Sequence, residues 1–237
     1  MRTMRRREWF SLGSAVAGGI LVACKSGGDG GGGGVSLGVT PATPAVPSRW
    51  GDLRVDRSLM IPPGRYARHR TRRMRPRYIT IHATDNFARG AGARAHALGL
   101  HRGTHTATYN SLGYLSWHFT IDDSTIYQSL PCDEQGQHAD YEGPGNSQSI
   151  GIEMCVNRDG NLQRTLDRSA RFAAVLMRSY NIPLNHVVPH YHWPRTRYKD
   201  GKYLGHKACP SVLMTNGKPG SKWDDFVRKI GRYRSQI

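Results

Sequence analysis

The alternation of apolar and polar residues predicts several strands in the second two-thirds of the chain. In Tyr78–His82 this alternation places Ile79 and Ile81 on one face of a strand, because successive side chains of a strand point to opposite faces. Thr80 and His82 lie on the other face. The same signal predicts further strands at residues 115–121, 124–130, 149–155 and 184–188.

Two segments instead repeat apolar residues every three or four positions, which is the spacing of one face of a helix. The first covers residues 162–180, and the second runs from about Lys222 to Arg232. Strands interspersed with long helices indicate an α/β fold. We expect a central mixed β-sheet flanked by helices, in a single domain.

The first 24 residues have the pattern of an export signal. Four arginines between Arg2 and Arg7 precede an uncharged stretch, residues 9–23, that is too short to span a bilayer comfortably. The stretch ends at Leu21–Cys24, which resembles a bacterial lipoprotein box. We therefore expect residues 1–23 to be a lipoprotein signal peptide and Cys24 to carry the lipid. The general and twin-arginine export routes both stay open, because Glu8 weakens the match to a twin-arginine signal.

Residues 24–49 have the composition of a tether that follows the lipidated cysteine. Seven glycines lie between Gly27 and Gly34, and three prolines follow. Such a segment cannot bury enough apolar surface to offset its ordering entropy. We expect a protein of the bacterial cell envelope that is held to a membrane by its lipid. Lys25 favours the periplasmic face of the outer membrane in a host with two membranes.

The net charge of +17 is concentrated in a short segment. Residues 65–77 contain seven arginines, whereas the chain from Tyr78 onward carries only +6. A nucleic-acid groove spreads its cations over the fold and interleaves aromatic residues, so we expect no nucleic-acid partner. We interpret residues 50–77 as a basic arm leading into the domain. Anionic lipids, cell-wall polymers and plain solvation all remain open as its surroundings.

Three side chains near the ends of predicted strands and in a loop have the chemistry of metal ligands. Two histidines and one cysteine, His82, His190 and Cys209, would hold zinc and leave a fourth position for water. Spacing alone does not decide this, and His192 is an alternative to His190.

Six motifs then occur in a characteristic order: Tyr78–Asn86, Ser116–Asp123, Ile126–Gln128, Ser149–Cys155, Val187–Trp193 and Lys207–Ser211. The set closely resembles the zinc-dependent N-acetylmuramoyl-L-alanine amidases of the amidase type 2 family, which includes peptidoglycan recognition proteins and phage endolysins. The resemblance covers about residues 77–230 and implies that residues 78–237 are the catalytic domain. It implies hydrolysis of the amide bond between N-acetylmuramic acid and L-alanine in peptidoglycan or muropeptides. We expect a monomer.

The resemblance also assigns roles to five residues. It implies that Zn²⁺ is bound by His82, His190 and Cys209. It implies that Glu153 takes the proton of the attacking water and passes it to the departing amine. Lys207 matches the lysine that contacts the developing oxyanion.

The substrate side of the resemblance is less complete. His138 matches a histidine that lines the peptide groove, although Gln137 replaces the tryptophan that precedes it in relatives. Trp117 lies either near the metal or in the core, and His118, on the opposite face of its strand, is a weaker substrate candidate. Residues 194–205 form an insertion beside the expected groove.

Two other functions compete with this prediction. A lipoprotein of the same fold would bind peptidoglycan without cutting it, and a cysteine hydrolase would use Cys209 as its nucleophile. Cys132 and Cys155 would meet an oxidising compartment after export, so a disulfide between them stays open.

Overall fold

The computed structural model describes residues 49–107, 113–197 and 200–237. The expected signal peptide, Cys24 and nearly all of the tether lie outside the described residues. The strands are β1 (Arg49–Trp50), β2 (Leu53–Asp56), β3 (Tyr78–Ala83), β4 (Thr106–Ala107), β5 (Gly113–Tyr114), β6 (Phe119–Ile121), β7 (Ile126–Gln128), β8 (Ser149–Met154), β9 (Val187–Pro189), β10 (Pro194–Thr196), β11 (Tyr203–His206), β12 (Met214–Thr215) and β13 (Lys218–Pro219). The helices are α1 (Ala93–His101), α2 (Pro144–Ser147), α3 (Leu162–Tyr180) and α4 (Ser221–Arg234).

Seven of the described strands form a central mixed sheet in the order β1-β2-β7-β6-β8-β3-β9. The neighbours β6 and β8, β8 and β3, and β3 and β9 are parallel, whereas the hairpin β6–β7 is antiparallel. The predicted fold class is therefore confirmed. The strands predicted at 115–121, 124–130 and 149–155 are present with shorter bounds, and the strand predicted at 78–82 extends to Ala83. The strand predicted at 184–188 is partly wrong, because residues 184–186 form a 3₁₀ turn and the strand covers Val187–Pro189. The helix predicted at 162–180 has those bounds in the structure.

Helices cover both faces of the sheet. One face of the sheet packs against α3 and α4, where the Phe119 ring meets Phe172 edge to face at 4.7 Å. On the other face, α1 packs Ala93 and Ala97 against Tyr127 and Cys155. Helix α1 is not predicted by the apolar periodicity, because its apolar positions are mostly alanine. Because both faces are covered, Thr80 and His82 of β3 and Ser149 of β8 are buried with the apolar residues of these strands.

The basic segment at residues 50–77 is also part of the packed domain. Strand β2 pairs in parallel with β7, and its Leu53 and Val55 enter the core. Arg68 donates two hydrogen bonds, at 2.8 and 2.7 Å, to the buried carboxylate of Glu134. The description of this segment as an arm that leads into the domain is thus incomplete, because a strand of four residues is too short for its alternation to stand out.

The cysteines of the described region are not paired. Cys132 packs in the core with α3 and α4, whereas Cys155 lies on the α1 side of the sheet. Their burial raises the pKa of both thiols. Among the described residues, no helix combines the length and apolar content that a membrane span requires.

Candidate active site

The candidate site lies where the parallel strands of the sheet end. Strands β3 and β8 pair in register, so His82 lies directly beside Glu153. On the other side of β3, Ile81 pairs with Pro189, and His190 follows one residue later. Side chains from three separate segments therefore meet at one edge of the sheet.

Cys209 reaches the same place from a loop. Its carbonyl accepts a hydrogen bond from the Tyr191 amide at 3.0 Å, which fixes the loop against the residue after His190. His82 Nδ1 lies 2.9 Å from His190 Nδ1 and 4.0 Å from Cys209 Sγ. The structure thus brings together the three expected zinc ligands. His192 is exposed and belongs to no group of possible metal donors in the part of the chain that the structure describes.

The far sides of both histidine rings are held by neighbours. His138 Nδ1 lies 3.1 Å from His82 Nε2, and His138 Nε2 lies 3.4 Å from the Ser149 carbonyl oxygen. The Ala139 backbone forms a hydrogen bond with His190. Such contacts orient metal-binding imidazoles and fix their tautomer. His138, expected only to contact substrate, therefore also supports His82.

The electrostatics of the three donors suit a cation. Burial lowers the pKa of His82 far below its usual value and that of His190 to about 3, so both rings are neutral and keep a lone pair. Burial raises the pKa of the Cys209 thiol to about 12. A bound cation reverses this effect, because metal coordination deprotonates a thiol. Two neutral imidazoles and one thiol within 4.8 Å of one another match the donor set of zinc.

Glu153 presents its carboxylate beside these donors. Its Oε1 atom lies 3.9 Å from His82 Nδ1, and its side chain is only 13% exposed. Its Oε2 atom is buried and has no hydrogen-bond partner among the described residues. Burial raises the pKa of Glu153 to about 8, against a lowering by the charge of Lys207. A buried, unpartnered carboxylate oxygen is costly, so its position needs a functional explanation.

An open cleft gives access to the site. Its walls include six of the expected residues: His82, Trp117, His138, Glu153, His190 and Lys207. Of these, Lys207 is exposed to solvent. Cys209 lies beneath the surface with no exposed area.

Trp117 and His118 take different positions. Trp117 packs with Ile61 and Leu100, donates a hydrogen bond from Nε1 to Thr120 at 2.7 Å, and also borders the cleft. Trp117 is therefore a core residue that also lines the cleft, although its core cluster is not the one that contains Phe119 and Ile121. His118 is fully buried, with Nε2 2.9 Å from the Glu134 carbonyl and Nδ1 accepting from the Gly151 amide. The expectation that His118 contacts substrate is not supported, since both ring nitrogens are used inside the protein.

The cleft is also lined by four residues that the sequence motifs did not single out. Asp140 and Tyr141 line it after His138, and Arg195 and Thr196 line it from β10. The only sequence signal for the latter pair was the insertion at 194–205.

An α/β domain with this donor set and an adjacent, largely buried glutamate fits the class of the type 2 amidases. Residues 72–212 match the family described as N-acetylmuramoyl-L-alanine amidase. The chain belongs to this family.

Relatives support the assignment. The chain is 40% identical over 159 residues to the N-acetylmuramoyl-L-alanine amidase CwlH of Bacillus subtilis, covering 66% of this chain and 54% of the relative. It is 42% identical over 164 residues to XlyA, an amidase of the same organism, covering 69% and 47%. The chain thus matches about half the length of these relatives.

Solved structures match the same region. A mutant endolysin from Bacillus subtilis aligns with a TM-score of 0.60 at 38% identity, covering 76% of this chain and 99% of the endolysin. The catalytic domain of XlyA aligns with a TM-score of 0.58 at 37% identity, covering 76% and 100%. The shared region therefore covers the whole solved catalytic domain of XlyA.

Proposed function

We propose that the protein is a zinc-dependent hydrolase of the amide bond between N-acetylmuramic acid and L-alanine in peptidoglycan or muropeptides. The observation that carries the proposal is the convergence of His82, His190 and Cys209 beside the unpartnered carboxylate oxygen of Glu153. The amidase names of CwlH and XlyA support the substrate class.

His82, His190 and Cys209 would hold the zinc ion, which when bound supplies Lewis-acid polarisation of the amide carbonyl. The positive charge of a bound zinc ion would favour the ionised form of Glu153 over the protonated form that burial alone favours. The ionised Glu153 would then accept a proton from the attacking water and deliver it to the departing amine. Lys207 lines the same cleft, where its ammonium group offsets negative charge on the carbonyl oxygen. An amide needs both polarisation of its carbonyl and protonation of its departing amine, because it is a poor electrophile with a poor leaving group.

The cysteine hydrolase is disfavoured by the position of Cys209. A nucleophilic cysteine needs a lowered pKa and access to substrate. Cys209 has no exposed area, and its burial raises the pKa of the thiol. The binding-only alternative differs from the amidase in one measurable respect, because it predicts no release of peptide from peptidoglycan.

Metal removal is expected to abolish peptide release. The full-length protein is incubated with peptidoglycan, and newly exposed L-alanine amines are measured before and after chelator treatment. We expect a loss of at least about 100-fold, reversed by added Zn²⁺ but not by Mg²⁺, whose preferred ligands are oxygens. Zinc binding without any release would favour the binding-only alternative. Release that survives chelation but not thiol alkylation would favour the cysteine hydrolase.

We also propose that a lipid on Cys24 holds the enzyme in the bacterial cell envelope, at the periplasmic face of the outer membrane in a host with two membranes. The lipoprotein-like pattern of residues 1–24 and the glycine-rich segment after it support this proposal. Cys24→Ala is expected to move the protein from the detergent-extracted to the soluble fraction, whereas Ser26→Ala is not. Membrane recovery of Cys24→Ala equal to wild type would contradict the anchor.

A further inference from the structure

One wall of the cleft is a hairpin that is fixed to the catalytic domain. Strands β10 and β11 pair Pro194 with His206. The His206 Nδ1 atom lies 2.6 Å from the Tyr191 carbonyl oxygen, and the two rings stack at 4.9 Å. At the start of β10, the Trp193 indole donates to Thr80 at 2.9 Å. The hairpin therefore has a defined position next to the segment that carries His190.

Arg195 lies where this hairpin is irregular. The strand register shifts between Pro194 and Thr196, and such bulges re-aim a side chain. Arg195 borders the cleft. Its guanidinium makes no hydrogen bond or ion pair within residues 49–107, 113–197 and 200–237, whereas Arg197 on the same hairpin pairs with Asp200.

Two acidic side chains line the cleft: Glu153, beside the metal donors, and Asp140, which is already engaged. Asp140 accepts hydrogen bonds from the Gly145 and Asn146 amides at 2.8 and 2.9 Å. Its carboxylate is therefore directed to the start of α2. A cation on a cleft wall without an internal partner is suited to an anionic group of the ligand, and the planar fork of arginine matches a carboxylate.

The chemistry of the substrate shows which side carries such a group. In an N-acetylmuramoyl amide, the carboxyl of muramic acid is consumed in the scissile bond, so the sugar side is uncharged. Free carboxylates lie only on the peptide side. We propose that Arg195 binds a carboxylate of the stem peptide, which makes it a specificity-determining residue and marks the hairpin as the peptide side of the cleft. The inference rests on the proposed amidase function.

The test uses two substrates that differ only in charge, N-acetylmuramoyl-L-alanyl-D-glutamate and its diamide. The zinc-loaded full chain is expected to prefer the acid by about 10- to 100-fold in kcat/KM, the range for hydrogen bonds to charged groups. Arg195→Gln is expected to lose that preference through a higher KM for the acid, with the diamide changed less than about 3-fold. Arg195→Lys, which keeps the charge, is expected to retain part of the preference.

Lys202→Gln is the matched control, because it removes one positive charge from the same hairpin at an exposed residue outside the cleft. We expect it to behave as wild type. Equal losses on both substrates in Arg195→Gln, or no preference in wild type, would overturn the inference and leave the amidase function intact. If wild type cleaves neither these substrates nor peptidoglycan, the proposed function itself fails, and the inference falls with it. Zinc content and urea unfolding of each variant show whether the site and fold are preserved.

Discussion

Glu153→Gln is expected to lower kcat for peptide release by about 1,000-fold, within the range for removing a general acid–base group. The side chains are nearly isosteric, but the amide accepts no proton from water at neutral pH. Because Glu153 lies beside the metal donors and not among them, the variant is expected to keep its zinc and most of its substrate affinity. Steady-state kinetics measures kcat and KM, and metal analysis measures the zinc content per chain.

Glu142→Gln is the control for this result. Glu142 is an exposed carboxylate that pairs with Arg72, two residues along the chain from cleft-lining Asp140. Its loss is expected to change kcat less than about 2-fold, because exposed ion pairs contribute little. Activity of Glu153→Gln close to wild type would exclude Glu153 as the proton acceptor. A parallel loss of zinc would instead show that the carboxylate holds the site together.

Cys209→Ser is expected to remove both zinc and activity, with the rate of release falling by at least about 1,000-fold. A buried hydroxyl does not deprotonate to serve as a ligand as a thiol does. Cys209→Asp restores an anionic zinc ligand, so it is expected to recover part of the zinc content and part of the rate. Zinc per chain after dialysis and release of L-alanine amines measure the two effects.

The pair of Cys209 substitutions separates two roles for the sulphur. If Cys209 were a nucleophile, the aspartate variant would be as inactive as the serine variant, although both would retain any metal held by the histidines. Cys132→Ser controls for loss of a buried thiol away from the site. Full activity in Cys209→Ser would refute the ligand assignment.

The spacing of apolar residues predicted the helices and strands that bury one face of their own side chains. The apolar period fixed helix 162–180 at its observed bounds, and alternation placed Ile79 and Ile81 against the helices and His82 on the opposite face. Ordered motifs identified the family and the residues that converge on the site. The helix α1 escaped prediction because its buried positions include small alanines, which give a weak periodic signal.

Contacts between distant segments lay beyond the reach of any local pattern. His118 and His138 both follow from sequence as candidates for the substrate side. Only packing shows that His118 bridges two backbone groups inside the domain, while His138 reaches His82 across 56 positions of the chain. Likewise, the four residues of β2 gain their place in the sheet from β7 rather than from their own periodicity.

The sequence by itself determined the order of the main elements, the family and the side chains that have the chemistry of metal ligands, because these depend on residue type and local spacing. Tertiary structure decided which of those side chains meet. The in-register pairing of β3 with β8 sets Glu153 beside His82, and the irregular hairpin brings Arg195 to the cleft wall. The physical reason is that strand register and loop position depend on contacts between segments that lie far apart in the chain. Residue type and local spacing carry no information about those contacts.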